Sequence, residues 1–165
     1  MMGSKGQISG EFLLLTGVLI FVLMISTIFI ATELELNTAV IAARNGATEG
    51  MASSAGAIYT KDAYSDYEKK DNDLLMPYSV EIINVSYSDL GFDGNYEKKK
   101  IQFKVYATSS KQLSKKDLDS IGDRINYNLR KSLAISFNSS SSTNKLYNPV
   151  FSPHYVFTTA NVKWV

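Results

Sequence analysis

Glu11 is the residue of this sequence whose position most restricts its chemistry. It stands immediately before a long uncharged run that begins at Phe12. A carboxylate at the edge of an apolar segment is costly unless it is paired or reaches the interface, and such groups mark functional positions in membrane segments. In a helix, a partner for Glu11 would have to lie about one turn away along the same face.

Residue types that support catalysis or metal binding are sparse. The chain has no cysteine, which excludes disulfides, thiolate metal sites and cysteine nucleophiles. Its single histidine, His154, has no neighbours that favour a Ser-His-Asp arrangement. Residues 89–100 fail as a calcium loop because Lys100 occupies the twelfth position, where a bidentate glutamate belongs. There is no P-loop pattern. We therefore predict no enzyme activity, no cofactor and no metal.

The uncharged run extends from Phe12 to Thr32. About 20 helical residues span the ~30 Å hydrocarbon core of a bilayer, so this run is long enough to cross it. It is apolar on all faces, whereas an amphipathic surface helix would carry a polar stripe. It is also longer than the apolar region of a secretory signal, and bulky Phe29 stands near its end where small residues belong. We predict a membrane-spanning helix over 12–32 that stays with the mature chain.

The charges on either side of the run predict its orientation. Lys5 precedes it, whereas Glu33 and Glu35 follow it. Cytoplasmic flanks favour lysine and arginine, so the N-terminus should be inside the cell and the C-terminal part outside. The formal net charge is +1 and the longest single-sign block is Lys98–Lys100, so we expect no nucleic-acid partner.

Four residues around the start of the run have a fixed spacing. They are Gln7, Ser9, Glu11 and Leu15, which fill every specified position of the pattern Q-x-S-x-E-x-x-x-L. With this pattern the N-terminus resembles the class III signal peptide of archaeal type IV pilins, in particular the methanogen-like pilins. Archaellins are the less favoured branch, because their helix start has a glycine-rich pattern without this spacing. The resemblance covers the chain to about position 50.

The resemblance implies a maturation and assembly pathway. A prepilin peptidase would cut between Gly6 and Gln7 and remove the leader, residues 1–6. The new α-amino group on Gln7, with an ordinary pKa near 8, would lie one turn from Glu11. In the family, the carboxylate usually pairs with the amine of a neighbouring subunit, and we expect this pair to set axial register more than stability. The resemblance also implies an assembly ATPase and a membrane platform protein as partners.

The helical pattern continues beyond the apolar run. Leu36, Ala39 or Val40, Ala43, Ala47 and Met51 recur at three- and four-residue steps. Small side chains that allow close helix approach occur at Ala39, Ala42, Ala43, Gly46, Ala47 and Gly50. We predict one hydrophobic helix over about 7–57, with its first half in a filament core and its second half packed on its own head. Gly17 either permits close helix contact or is simply a tolerated membrane glycine.

Residues 58–165 are predicted to form a small α+β head. Tyr59–Asp73 is polar and is predicted to be a linker or a frayed helix end. The β-prone stretch 79–88 and the alternating stretch 100–107 predict a hairpin with its turn at Gly91–Asn95.

A second helix and a last strand complete the predicted head. Ser114 and Asp117 resemble a capping box. The residues that then form an apolar stripe are Leu118, Ile121, Ile125, Leu129 and Leu133, which we expect to contact the sheet. His154–Val165 is predicted to be the C-terminal strand.

Two asparagines match the N-glycosylation acceptor pattern. Asn84 precedes Val-Ser, and Asn138 precedes Ser-Ser within a Ser- and Asn-rich stretch. Such matches also arise by chance in a chain rich in serine and threonine, so both assignments stay open.

These sequence features leave three alternative functions for the chain. The first is a structural subunit of an archaeal type IV pilus-like surface filament for surface attachment: a membrane precursor that assembles as a homo-oligomer through its N-terminal helices. The second is a minor pilin or pseudopilin serving secretion or DNA uptake. The third is a signal-anchored extracellular binding protein, which would start at Met1.

Overall fold

The computed structural model describes residues 4–56, 80–110 and 112–165, and it confirms the α+β class. The elements in chain order are α1 (Ser4–Gly56), β1 (Val80–Asp93), β2 (Lys98–Ser109), α2 (Lys115–Ser136), β3 (Val150–Phe151), β4 (Tyr155–Thr159) and β5 (Lys163–Trp164). The linker predicted for Tyr59–Asp73 lies outside the described residues. The chain divides into two compact units, Met1–Asn37 and Thr38–Val165.

The long N-terminal helix predicted from the sequence is present as α1, of 53 residues. It begins at Ser4, before the predicted start at position 7, so the last residues of the predicted leader are helical as well. The glycines within it do not break it, because a single glycine costs only about 1 kcal/mol relative to alanine.

The β-hairpin is also present, but its turn was predicted too early. β1 continues through Asp93, and the turn lies at 94–97. Gly91 has a positive φ of 84° and lies at an irregularity in the pairing of β1 with β2, between Asp89 and Phe92. A bulge and a turn use the same residue type, so the local sequence did not distinguish them.

Asp93 organises the observed turn. Its Oδ1 accepts a hydrogen bond from the Asn95 amide at 3.0 Å, and its Oδ2 accepts one from Lys100 Nζ at 3.1 Å. The Lys100 hydrogen bond and the Asn95 amide together lower the pKa of Asp93 below its ordinary 3.8.

We expect the Asp93 interactions to produce an acid-sensitive hairpin. A lowered carboxylate pKa contributes stability that is fully present above the unfolded value and is lost as pH falls through the folded value. Asp93→Asn should therefore lower the melting temperature at pH 7, and this deficit should shrink as pH falls below 3.8. Melting curves of both proteins between pH 7 and pH 2 test this, and a deficit that stays constant with pH would contradict it.

The strands form one sheet around β2. Antiparallel β1 lies on one side of β2, while parallel β4 and β5 lie on the other, and β3 pairs antiparallel with β4. The parallel β2–β4 pair requires a crossover, and α2 is in that connection. The predicted single strand His154–Val165 is wrong in detail, because it is interrupted between Thr159 and Lys163. β3 was not predicted, since two residues are too short for a periodic signal.

The core of the second unit lies between the sheet and α2. The predicted alternation in β2 is confirmed, since Ile101, Phe103, Val105 and Ala107 are all buried. The Ser114 hydroxyl caps α2 by accepting from the Asp117 amide at 3.2 Å. The predicted stripe of α2 is buried from Ile121 to Leu133 against β3 and β4, while Leu118 at its start is only partly covered.

The last part of α1 packs closely against α2. The buried positions of this part are Ala39, Ala42, Ala43, Gly46, Ala47 and Gly50, which we call the small-residue seam. A Cβ atom placed on Gly46 would lie 2.5 Å from the carbonyl oxygen of Asn128, and one on Gly50 would lie 2.8 Å from Ile125 Cα. The two backbones therefore approach as closely as only glycine permits at these points. The predicted packing of this part of the helix on its own head is confirmed.

Candidate membrane and assembly helix

The residues of the N-terminal pattern all lie in α1. Gly6, Gln7, Ser9, Glu11 and Leu15 are helical in backbone. Since Gln7, Glu11 and Leu15 are spaced by four, they share one face of the helix, and Ser9 lies off it. The scissile position predicted between Gly6 and Gln7 therefore lies about one turn before Glu11 in the same helix. The cleavage itself stays a prediction.

The run that follows Glu11 is exposed along its whole length. Its large apolar side chains from Phe12 to Ile30 each expose between 52% and 71% of their surface. Monomeric soluble proteins rarely expose a contiguous apolar patch of more than a few hundred Å². The side chains of this run therefore need a covering that the first unit does not supply by itself.

The hydroxyl groups within the run are satisfied by the helix itself. Thr16 Oγ1 donates to the carbonyl of Phe12 at 2.8 Å, and Ser26 Oγ donates to that of Val22 at 2.8 Å. Thr27 repeats this four-residue step at 2.6 Å. Because each hydroxyl finds its acceptor inside the helix, none requires water, which is the condition for polar groups in hydrocarbon.

This combination of length, apolarity and internal hydrogen bonding is compatible with a membrane anchor. Among the described elements, α1 is the one helix long and apolar enough to cross a bilayer. No protein-family model, curated protein or solved structure matches this chain.

The two predicted glycosylation asparagines are both exposed but differ in backbone setting. Asn84 lies within β1, opposite Tyr106, and the hydroxyl of Ser86 in its motif is directed to the carbonyl of Lys104 at 3.5 Å. Asn138 lies just after α2 with a positive φ of 49°. An acceptor asparagine must enter an enzyme active site, so the position outside regular structure is the more accessible one. Modification at either position stays a prediction.

One feature of the head had no signal in the sequence. A cavity of about 310 Å³ lies between α2 and the segment that contains β5, and Asp119, Asp123, Asn126 and Trp164 are among its lining residues. Within the described ranges, no three His, Cys, Asp or Glu side chains form a group that could hold a metal ion. The cavity joins positions distant in sequence, so only the fold brings them together.

Proposed function

We propose that this chain is a structural subunit of an archaeal type IV pilus-like surface filament that serves surface attachment. The observation that carries the proposal is the uncovered apolar surface of α1, which begins directly after Glu11 in the Q-x-S-x-E-x-x-x-L pattern. A membrane anchor needs such an apolar surface. It does not need a glutamate at the start of that surface, within the Q-x-S-x-E-x-x-x-L pattern. A filament subunit uses both features.

In this proposal the apolar surface of α1 is covered first by lipid and then by other copies of the protein. Before assembly, lipid surrounds residues 12–32, with the N-terminus inside and the head outside the cell. After assembly, the same side chains contact the α1 helices of other copies. Lipid tails are as apolar as leucine, so the exchange has little net hydrophobic driving force. Extraction from the bilayer therefore needs external work, which the assembly ATPase and platform protein would supply.

Glu11 gives the assembled helices their register. Removal of residues 1–6 would leave a cationic α-amino group on Gln7, and a charge in a dry helix bundle is costly unless it is paired. The carboxylate of Glu11 on a neighbouring copy would satisfy this amine at one axial offset. Other offsets would leave one or both charges unpaired, so the pair selects a single arrangement.

The mature N-terminus tests this proposal most directly. We expect the protein isolated from its native membranes or surface filaments to begin at Gln7, because leader removal is what creates the amine that pairs with Glu11. Mass spectrometry of the N-terminal peptide measures this, with protein made in a host without prepilin peptidase as the uncleaved control.

The alternatives give different results in the same preparation. A mature chain that still begins at Met1 would overturn the proposal and favour the signal-anchored binding protein. A chain that begins at Gln7 but is scarce in purified filaments would identify a minor pilin or pseudopilin. A processed chain that is the most abundant filament protein is the expected outcome.

A further inference from the structure

Two opposite charges lie on different sides of α1, in the part that carries the small-residue seam. Arg44 and Glu49 are both exposed. With 3.6 residues per turn, Arg44 lies about 130° from the centre of the seam in one direction and Glu49 about 90° from it in the other. Because the seam packs against α2, the two charges flank the face of α1 that is turned away from α2.

Neither charge is paired within the part of the chain that the structure describes. Arg44 and Glu49 make no ion pair with any described residue. They cannot pair with each other, because a spacing of five residues places their side chains about 140° apart around the helix. Ion pairs within a helix form at spacings of three or four. Both charges therefore remain available to a partner outside the single chain.

The face of α1 between these charges carries an exposed apolar side chain. Ile41 lies almost directly opposite the seam, and 61% of its surface is exposed. It stands nine residues after Thr32, where the uncharged run ends, so a membrane span over 12–32 does not cover it. In a bundle of α1 helices with the heads outside, this face is directed to the bundle axis. The flanks with Arg44 and Glu49 are then directed to the neighbouring copies on either side.

The symmetry of a filament brings the two flanks together. Copies in a helical assembly contact each other through two different faces, so one flank of each copy meets the opposite flank of its neighbour. Arg44 of one copy therefore faces the flank of the next copy that carries Glu49. The charges are opposite, so they attract across this contact, whereas like charges in the same place would repel.

The axial spacing of these charges agrees with the offset proposed for Glu11. A copy displaced along the filament by four helical residues, about 6 Å, brings its Gln7 amine level with Glu11 of the copy below. A displacement of five residues in the same direction, about 7.5 Å, brings its Arg44 level with Glu49 of that same copy. The difference is about one residue of helical rise, which the long side chains of arginine and glutamate can span. One displacement therefore serves both pairs.

We infer that Arg44 of one copy pairs with Glu49 of the next copy in the filament. This inference rests on the proposed filament function and names a second contact between the same two copies. Glu11 fixes the offset of the helices at the start of the apolar run, and the Arg44–Glu49 pair fixes it beyond the end of that run. Since both groups are exposed in the single chain, the pair contributes to the choice of neighbour and offset more than to binding strength.

Exchanging the two charges tests this contact. Arg44→Glu places two carboxylates opposite each other between copies, and Glu49→Arg places two guanidinium groups there. We expect each single variant to lower the yield of surface filaments at least about tenfold, since a repulsion of ~1.4 kcal/mol is a factor of ten in an equilibrium constant. The chain with both substitutions restores opposite charges in exchanged positions, and its yield should lie within about twofold of the parent. Arg44→Lys, which keeps the charge, is the matched control and should assemble.

Filament yield is measured by electron microscopy and is divided by the amount of membrane-bound chain that begins at Gln7. This ratio separates a defect in assembly from a loss of folded or processed chain. The inference is overturned if the single variants assemble as the parent does, if the double variant assembles no better than the single variants, or if Arg44→Lys is as defective as Arg44→Glu. A parent chain that forms no filaments would instead overturn the proposed function, and this inference with it.

Discussion

Glu11→Gln should abolish filament formation while leaving membrane insertion and leader removal intact. The substitution keeps the shape of the side chain and removes its charge, so the α-amino group on Gln7 of a neighbouring copy would lose its partner. Removing one member of a buried ion pair costs about 3–5 kcal/mol, which corresponds to a factor of more than about a hundred in an equilibrium constant. We therefore expect surface filaments to fall at least about a hundredfold.

The measurement combines electron microscopy of surface filaments with the N-terminal mass of the membrane-bound chain. Glu33→Gln is the matched control, because it removes a carboxylate beyond the other end of the apolar run, where the register pair does not involve it. We expect that variant to assemble normally. Normal filaments from Glu11→Gln would contradict the register mechanism. If neither variant formed filaments, the loss would follow from removing any carboxylate near the apolar run and not from the pair made by Glu11.

Gly46→Ala should destabilise the head by separating α1 from α2. The added Cβ would lie 2.6 Å from Ser132 Cβ and 2.8 Å from Leu129 Cα, in addition to its contact with the Asn128 carbonyl. Backbone atoms cannot rotate away, so the helices must move apart. Overpacking of this kind costs about 1–3 kcal/mol, which exceeds the helix-propensity gain of up to about 1 kcal/mol.

We expect the melting temperature of the head in Gly46→Ala to fall by up to about 8 °C, since a net loss of up to about 2 kcal/mol corresponds to about 4 °C per kcal/mol for a domain of this size. Near-ultraviolet circular dichroism of the full chain in detergent follows this transition. The matched control is Gly17→Ala, the same replacement in the same helix, where the added Cβ has no other atom within 4 Å. Equal melting of both variants would contradict a closely packed small-residue seam.

Gly17→Ala also distinguishes the two interpretations of that glycine. Because its surroundings in the single chain are open, any loss of filaments in this variant would have to arise from contacts between copies. Unchanged filaments would identify Gly17 as a tolerated membrane glycine.

Much of the secondary structure followed from local patterns. The alternation from Ile101 to Ala107 identified the buried face of β2, and Ser114 identified the start of α2, because periodicity and capping depend on neighbours a few residues apart. The turn at Gly91 was misplaced because a bulge satisfies the same backbone requirement. β3 and the interruption before β5 were missed because strand pairing there depends on β2 and β4, which lie far away in sequence.

The sequence by itself determined the long helix, its membrane-length apolar run, the position of Glu11 at its edge, and the small residues that lie further along. These are properties of composition and spacing along one continuous segment, and they need no partner to be recognised. Only the tertiary structure decided that the small-residue seam packs on α2, and that Asp119, Asp123 and Asn126 face Trp164 across one cavity. Periodicity indicates which face of a helix is buried, but what buries it is decided by chain segments that meet only after folding.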